Sequence, residues 1–292
     1  MPTTLSFGLG LPSGPEPGFE PVAYGRRAEE LGFDFLSISD HPADPGGTYE
    51  AWTLLAWIAA STTRIRLATR VLGVPYRSPA VVAKMAETFD RLSGGRLILG
   101  LGGGYSDGEF RALGLPVPTA REKVDGLADA IRIARGLWTR SEFTYRGPVH
   151  HTEDATVAPR PDHRIPIWLG TFGDRALALT GRLADGWIPS LGSAPPAVAT
   201  GMRDKILAAA GAAGRAPEEL TFAYHLQVEP GKADDPSVVS GSAGEVAETL
   251  AGFAGLGFST LSLVPGGPDR AETVEWLAGD VVPAVRQLVS EA

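Results

Sequence analysis

Short, nearly unbroken apolar runs alternate along this chain with longer stretches in which apolar residues return every three or four positions. The runs fall at residues 5–10, 33–39, 65–71, 96–101, 165–169, 186–190, 220–228 and 259–264, eight in all. They lack the strict apolar–polar alternation of a half-exposed strand, as expected of parallel strands covered on both faces. The stretches between them, at 21–31, 50–60, 80–92, 121–138, 175–183, 197–213 and 243–256, predict amphipathic helices. Strand then helix, repeated, argues for parallel βα units.

Two segments read as copies of one unit. Leu31-Gly-Phe-Asp-Phe-Leu-Ser-Ile-Ser39 matches Leu256-Gly-Phe-Ser-Thr-Leu-Ser-Leu-Val264, each with a helix end, a Gly suited to a left-handed cap, and a strand. Ala184-Asp-Gly-Trp187 is a third version of the same turn. Eight such units predict an α/β fold, a closed (β/α)8 TIM-like barrel forming a single domain over residues 1–292, with an open doubly wound sheet as the alternative. One connection, 102–164, is far longer than the rest. It holds a short helix, a long helix and a hairpin at 142–157 turning at Arg146-Gly147-Pro148, and reads as an insertion after the fourth strand, about residues 105–164.

Composition narrows the function classes. The 292 residues are 43% hydrophobic and 21% charged, which is ordinary for a globular chain. With 26 Lys+Arg against 34 Asp+Glu the net charge is -8, which disfavours a nucleic-acid partner. The absence of Cys removes disulfides, thiolate metal sites and a thiol nucleophile. The opening MPTTLSFGLGLP has no basic start and its apolar run is broken by Gly and Pro, so no signal peptide is expected. The longest apolar stretch, 51–61, is too short to cross a bilayer and reads as a buried helix. The expectation is a cytoplasmic protein with no membrane partner.

Candidate chemistry gathers at the ends of the apolar runs. Gly102-Gly-Gly104 follows the fourth run directly, but Tyr105 and Asp107 stand where a dinucleotide-binding fingerprint needs its third Gly. Two readings remain: a turn needing unusual backbone angles, or a bare backbone against which a flat, bulky group lies. Ser106-Asp-Gly-Glu109 is a capping box that accounts for Glu109. Asp40-His41-Pro42 follows the second run, on the rim where barrels build active sites, and His41 is suited to move a proton near neutral pH. Gly170-Thr-Phe-Gly173 before a helix is a candidate anion site, through free N–H groups and the positive end of the helix dipole. His150-His151 sits in a strand, where neighbouring side chains point apart, so no metal site is expected. A flat ring over Gly102–Gly104 with a phosphate at Gly170–Gly173 describes a flavin-like molecule.

In order and spacing, Ser39-Asp-His41, Pro75-Tyr-Arg-Ser-Pro79, Ala83-Lys84, Leu92-Ser-Gly-Gly-Arg96, Leu99-Gly-Leu-Gly-Gly-Gly104 with Glu109-Phe110, and Ala184-Asp-Gly-Trp187 resemble the bacterial luciferase superfamily of flavin- or deazaflavin-dependent oxidoreductases. The resemblance spans Gly8 to about Val264 and is strongest from Ile65 to Glu109 and from Ile165 to Trp187.

It implies a TIM-like barrel, often dimeric, that binds its ring at the C-terminal mouth and acts on a small molecule. Relatives with Ser-Asp-His after the second strand generally use coenzyme F420 rather than FMN, with the His near the reactive ring carbon, here His41. A non-prolyl cis peptide would fall at Arg70–Val71, although Arg70 stands where relatives carry a small residue. Val71 would press on the back of the ring, Asp40 would orient His41 or bond the ring, Gly102 and Gly103 would leave room for its edge, and Gly170, Thr171 and Gly173 would hold the phosphate. Trp52, Tyr76, Tyr105, Trp187 and His225 would line the substrate pocket. Tyr105 replaces a Glu found in the sugar-phosphate dehydrogenases of this group, so a sugar phosphate is not implied. The alternatives are an FMN-dependent monooxygenase and a barrel that binds cofactor without catalysis.

Overall fold

The computed structural model describes residues 5–291. The leader reading for the first four residues therefore lies outside the described part. The elements run β1 (Ser6–Gly10), α1 (Pro21–Glu30), β2 (Phe35–Ile38), α2 (Ala51–Ala59), β3 (Arg66–Thr69), β4 (Leu72–Gly73), α3 (Pro79–Ser93) and β5 (Leu97–Gly102). Then come α4 (Asp107–Ala112), α5 (Ala120–Thr139), the hairpin β6 (Phe143–Arg146) and β7 (His151–Ala155), β8 (Ile167–Leu169), α6 (Asp174–Leu183) and β9 (Gly186–Trp187). The chain finishes with α7 (Pro196–Ala212), β10 (Thr221–Pro230), β11 (Val238–Gly241), α8 (Ala243–Gly255), β12 (Thr260–Pro265), α9 (Arg270–Trp276) and α10 (Val282–Glu291).

Eight parallel strands close in the order β1-β2-β3-β5-β8-β9-β10-β12, and β12 returns to β1. All eight apolar runs are barrel strands. β4 continues β3 past a cis Arg70–Val71 peptide and pairs with β5. The short β11 adds to β10 outside the ring and is not anticipated by the pattern. The hairpin packs on α5, on the flank of the barrel. Among the described residues no helix is long and apolar enough to cross a membrane.

The repeated helix-to-strand turn works through its Gly and Asp. Gly32 and Gly257 take φ +84° and +88°, the left-handed geometry that closes each helix and turns the chain into the strand. The Asp of the turn then satisfies an N–H at the start of a neighbouring strand: Asp34 accepts from Phe7 at 2.7 Å and Asp185 from Ile167 at 2.7 Å. Below the barrel, Arg96 at the foot of β5 is buried. It donates to the carbonyls of Ala59, Thr62, Ile65 and Ser93 and to the Thr62 hydroxyl, stitching α2, β3 and α3 together.

Strand parity divides the apolar residues into two layers. Most face outward against the helices, while Phe35, Ala68, Ile98, Trp168, Ile188 and Ala223 form a separate cluster inside the barrel. Burying the Phe35 ring there contributes about 2–3 kcal/mol. The ring occupies the space that a Cβ on Gly8 would need, 2.2 Å away, so the facing position on β1 is bare. One step higher, the inward positions shrink to Gly10, Ser37, Gly100, Gly170 and Ser262. The barrel is filled at its waist and hollow at its C-terminal mouth.

Candidate active site

The hollow is a cavity of about 380 Å³ lined by Asp40, His41, Arg70, Val71, Gly73, Tyr76, Gly102, Gly103, Gly104, Tyr105, Gly170, Phe172, Ile188, Ser190, Ser193 and His225. Residues from six stretches of the sequence meet here; all but His225, which lies within β10, end a strand or follow one.

His41 lies on the loop after β2. Its Nδ1 is 2.8 Å from Oε1 of Glu109, which is buried on α4, 68 positions later. The other carboxylate oxygen accepts the Ala43 N–H at 3.3 Å, and Thr48 donates to the His41 carbonyl. Glu109 thus holds the ring and its loop together. With Nδ1 bonded to the carboxylate, Nε2 is the nitrogen left to carry or release a proton. The capping reading of Glu109 is half right: Ser106 Oγ accepts the Glu109 N–H at 3.3 Å, but the Glu109 side chain turns to His41 instead of back to the cap.

Asp40 has both oxygens committed elsewhere. They accept a bidentate pair from Arg77 at 2.7 and 2.9 Å, and Oδ2 also takes the Gly73 N–H at 3.0 Å. Arg77 reaches on to Glu50 at 2.6 Å. The expectation that Asp40 bonds a ring or His41 directly gives way to a clamp. It fixes the end of β2 to β4 and so sets where the His41 backbone leaves the barrel.

The glycine wall has a cause within the protein. A Cβ on Gly100 would stand 1.8 Å from the Thr69 carbonyl oxygen, on Gly102 2.6 Å from Val71 Cγ2, on Gly103 3.1 Å from Lys123 Cβ, and on Gly104 2.4 Å from Phe110 Cζ. Neighbouring strands and helices take that space, so packing already demands glycine at positions 100, 102 and 104 and leaves little room for a side chain at Gly103. The flat, side-chain-free wall is the consequence, and Val71 and Gly170 extend it.

Arg70 points into the mouth. Its Nη1 is 2.9 Å from His225 Nε2 and its Nε donates to Ser37 Oγ at 3.3 Å. His225 accepts at Nε2, so it is neutral. Burial, reinforced by the Arg70 charge, holds its pKa well below the usual imidazole value. The phenol of Tyr76 is kept protonated by burial and by the nearby carboxylates of Glu109 and Asp40. Tyr105 is exposed and meets His41 edge-on, with ring centroids 6.3 Å apart.

Three expected residues lie away from the cavity. Thr171 is buried behind the wall, where its hydroxyl donates to Thr180 Oγ1 at 2.8 Å, so that hydroxyl is not available to a phosphate. Trp187 faces outward from β9, because its neighbour Ile188 faces in. It is fully buried with Nε1 donating to the Thr171 carbonyl at 2.9 Å. Trp52 sits on α2 against Phe89 of α3, on the barrel flank, with ring centroids 5.4 Å apart. Gly173 is the N-cap of α6 and lies just beyond the cavity lining, with no side chain accepting the first N–H groups of that helix. Glu109, Arg70 and Arg77 were missed. The only signal for Arg70 was that it departs from the small residue expected there.

A family model described as luciferase-like monooxygenase matches residues 6–237. An F420-dependent glucose-6-phosphate dehydrogenase of Microbacterium testaceum is 36% identical over 60% of this chain, and the match spans only 54% of that relative. One from Intrasporangium calvum is 30% identical over 92% of this chain and 95% of the relative. Among solved structures, an F420-dependent secondary alcohol dehydrogenase with an F420-acetone adduct superposes with TM-score 0.85 at 20% identity, over 97% of this chain and 99% of the other. A monooxygenase of Streptomyces bottropensis gives 0.81 at 22% identity, over 96% and 99%. At those identities the structures speak for the barrel alone. The family match covers most of the chain and falls on the strands that build the mouth, and on it the chain belongs to the luciferase-like monooxygenase family.

Proposed function

We propose that this chain is an oxidoreductase that moves a hydride between coenzyme F420 and a small organic substrate. The observation that carries the reading is the His41–Glu109 pair at the edge of a cavity with a bare backbone wall. The cradle fits a flat ring: Val71, Gly102, Gly103 and Gly170 offer a face with little relief, and the uncapped N-terminus of α6 at Gly173 offers N–H groups to a phosphate. The bound deazaflavin would supply the hydride chemistry. His41, with Nε2 free, gives or takes the substrate proton, and Glu109 steadies the imidazolium when His41 is charged. Asp40 holds His41 in place through the loop.

Both relatives described above are named glucose-6-phosphate dehydrogenases. That substrate is not carried over, because Tyr105 stands where the sugar-phosphate enzymes place a Glu. The test is titration with F420 and with FMN, followed by fluorescence. Tight F420 binding with weak FMN binding supports the reading, and the reverse favours a flavin monooxygenase.

We also propose a homodimer. An apolar groove of about 840 Å³ runs between α2 and α3, with exposed Val81 and Leu92 in its lining. A patch of this kind on a monomer marks an interaction surface, and a second copy covers it most simply. Sedimentation reads the state directly; a monomer at every concentration ends this proposal.

A further inference from the structure

The mouth contains a second cavity, also of about 380 Å³, on the side of β1 and β12. Ser13, Asp44, Thr48, Gln227 and Arg270 are among its lining residues, and it shares His41, Arg70 and His225 with the first. Arg70 thus stands between the two spaces. Its partners are Ser37 and the neutral His225, and among the described residues no carboxylate pairs with it. Burial draws its pKa down to about 10, which leaves it positive at neutral pH. A half-buried guanidinium with spare donors and no paired carboxylate is a ready partner for an anion that enters the cavity.

The other charges of the second cavity are one ion pair and one exposed carboxylate. Arg270 pairs with Glu16 at 3.0 Å, and Asp44 turns to the Gly46 N–H at 2.7 Å. A doubly charged phosphate would meet Glu16 and Asp44 with one unpaired cation to hold it. A singly charged carboxylate matches Arg70 in charge and in the planar fork of its donors.

We propose that Arg70 anchors a carboxylate of the substrate in the second cavity, with the rest of that molecule extending to His41. This rests on the hydride-transfer reading above. It makes the substrate a small organic acid and gives Arg70 a role in specificity.

The experiment is calorimetric titration of the F420-loaded protein with matched acids and amides: propionate and propionamide, lactate and lactamide, hexanoate and hexanamide, with inorganic phosphate alongside. At least one acid is expected to bind about 10-fold or more tightly than its amide, and Arg70→Met to weaken that acid about 10- to 100-fold while F420 and amide binding stay unchanged. Arg70→Lys should retain part of the affinity. Equal binding of every acid and its amide overturns the proposal. So does tighter binding of phosphate than of any acid, or loss of F420 binding in Arg70→Met with acid binding intact, because the guanidinium then serves another group. Should Arg70→Met fail to fold, Arg70→Lys and the wild-type acid–amide comparison decide. If the wild type does not bind F420, the hydride reading falls separately, and the acid–amide comparison on the free protein still reads Arg70.

Discussion

His41 Nδ1 and Glu109 Oε1 are 2.8 Å apart, although one residue follows β2 and the other lies in the helix after β5. The pair converts a rim histidine into one with a fixed tautomer, its second nitrogen free. His41→Ala is expected to lower the single-turnover rate with F420 by about 10²–10⁴ and to leave F420 affinity nearly intact. Glu109→Gln keeps the shape but weakens the hold, and a loss of about 10–10² is expected. Stopped-flow reduction and fluorescence titration of both variants check this. Wild-type rates in His41→Ala would remove it from the mechanism.

Asp40 acts through the fold. Its carboxylate is fully buried between Arg77 and the Gly73 N–H, and removing it leaves Arg77 with Glu50 as its carboxylate partner and the Gly73 N–H without an acceptor. Asp40→Ala is expected to cost about 3 kcal/mol, the lower end for a broken buried pair, because Glu50 still holds Arg77. Urea unfolding measures it. A variant of undiminished stability that still loses F420 binding would mean that the carboxylate serves the ring after all.

Gly103→Val tests what the bare wall is for. Its new side chain presses on the Lys123 backbone, 3.3 Å from the carbonyl oxygen, so the first effect should be on α5. A loss of about 1–3 kcal/mol is expected from overpacking, seen as a lower melting temperature. An unchanged melt with abolished F420 affinity would show that the side chain enters the cavity instead.

Glu29 links stability to pH. Partial burial works against its ionisation, but the N–H groups of Ile65, Arg64 and Thr63 outweigh it and pull the pKa down to about 2. A folded pKa below the unfolded value of 4.5 gives stability that is complete above that pH and drains away as pH falls toward 2. Glu29→Gln should therefore be less stable than wild type at pH 7 and lose less between pH 5 and about pH 3. Urea midpoints at the two ends check the sign. Parallel curves for the two proteins would rule out the linkage.

The barrel was legible because its strands are covered on both faces and each is punctuated by a turn with its own chemistry. The apolar runs coincide with the eight strands to within a few residues, and Gly32 and Gly257 take the left-handed geometry read from their repeat. β11 escaped because Val238–Gly241 is short and relies on β10 for its hydrogen bonds. His41 was visible from its place after a strand. Glu109 was hidden because the pattern that caps a helix is also satisfied when the carboxylate looks elsewhere, and contact across 68 residues leaves no periodicity to read. Trp52 and Trp187 were misplaced for a related reason: an aromatic residue declares that it will be buried, but not on which side of the strand or helix.

Arg96 gathers the loops beneath the barrel into one knot, and none of its partners reaches the mouth. The molecule is thereby split into a chassis and a workbench. Loops above the strands are free to be lengthened, exchanged or recharged with little penalty at the chassis end, so new substrates are open to evolution, or to a library of loop variants, on a scaffold that keeps its shape.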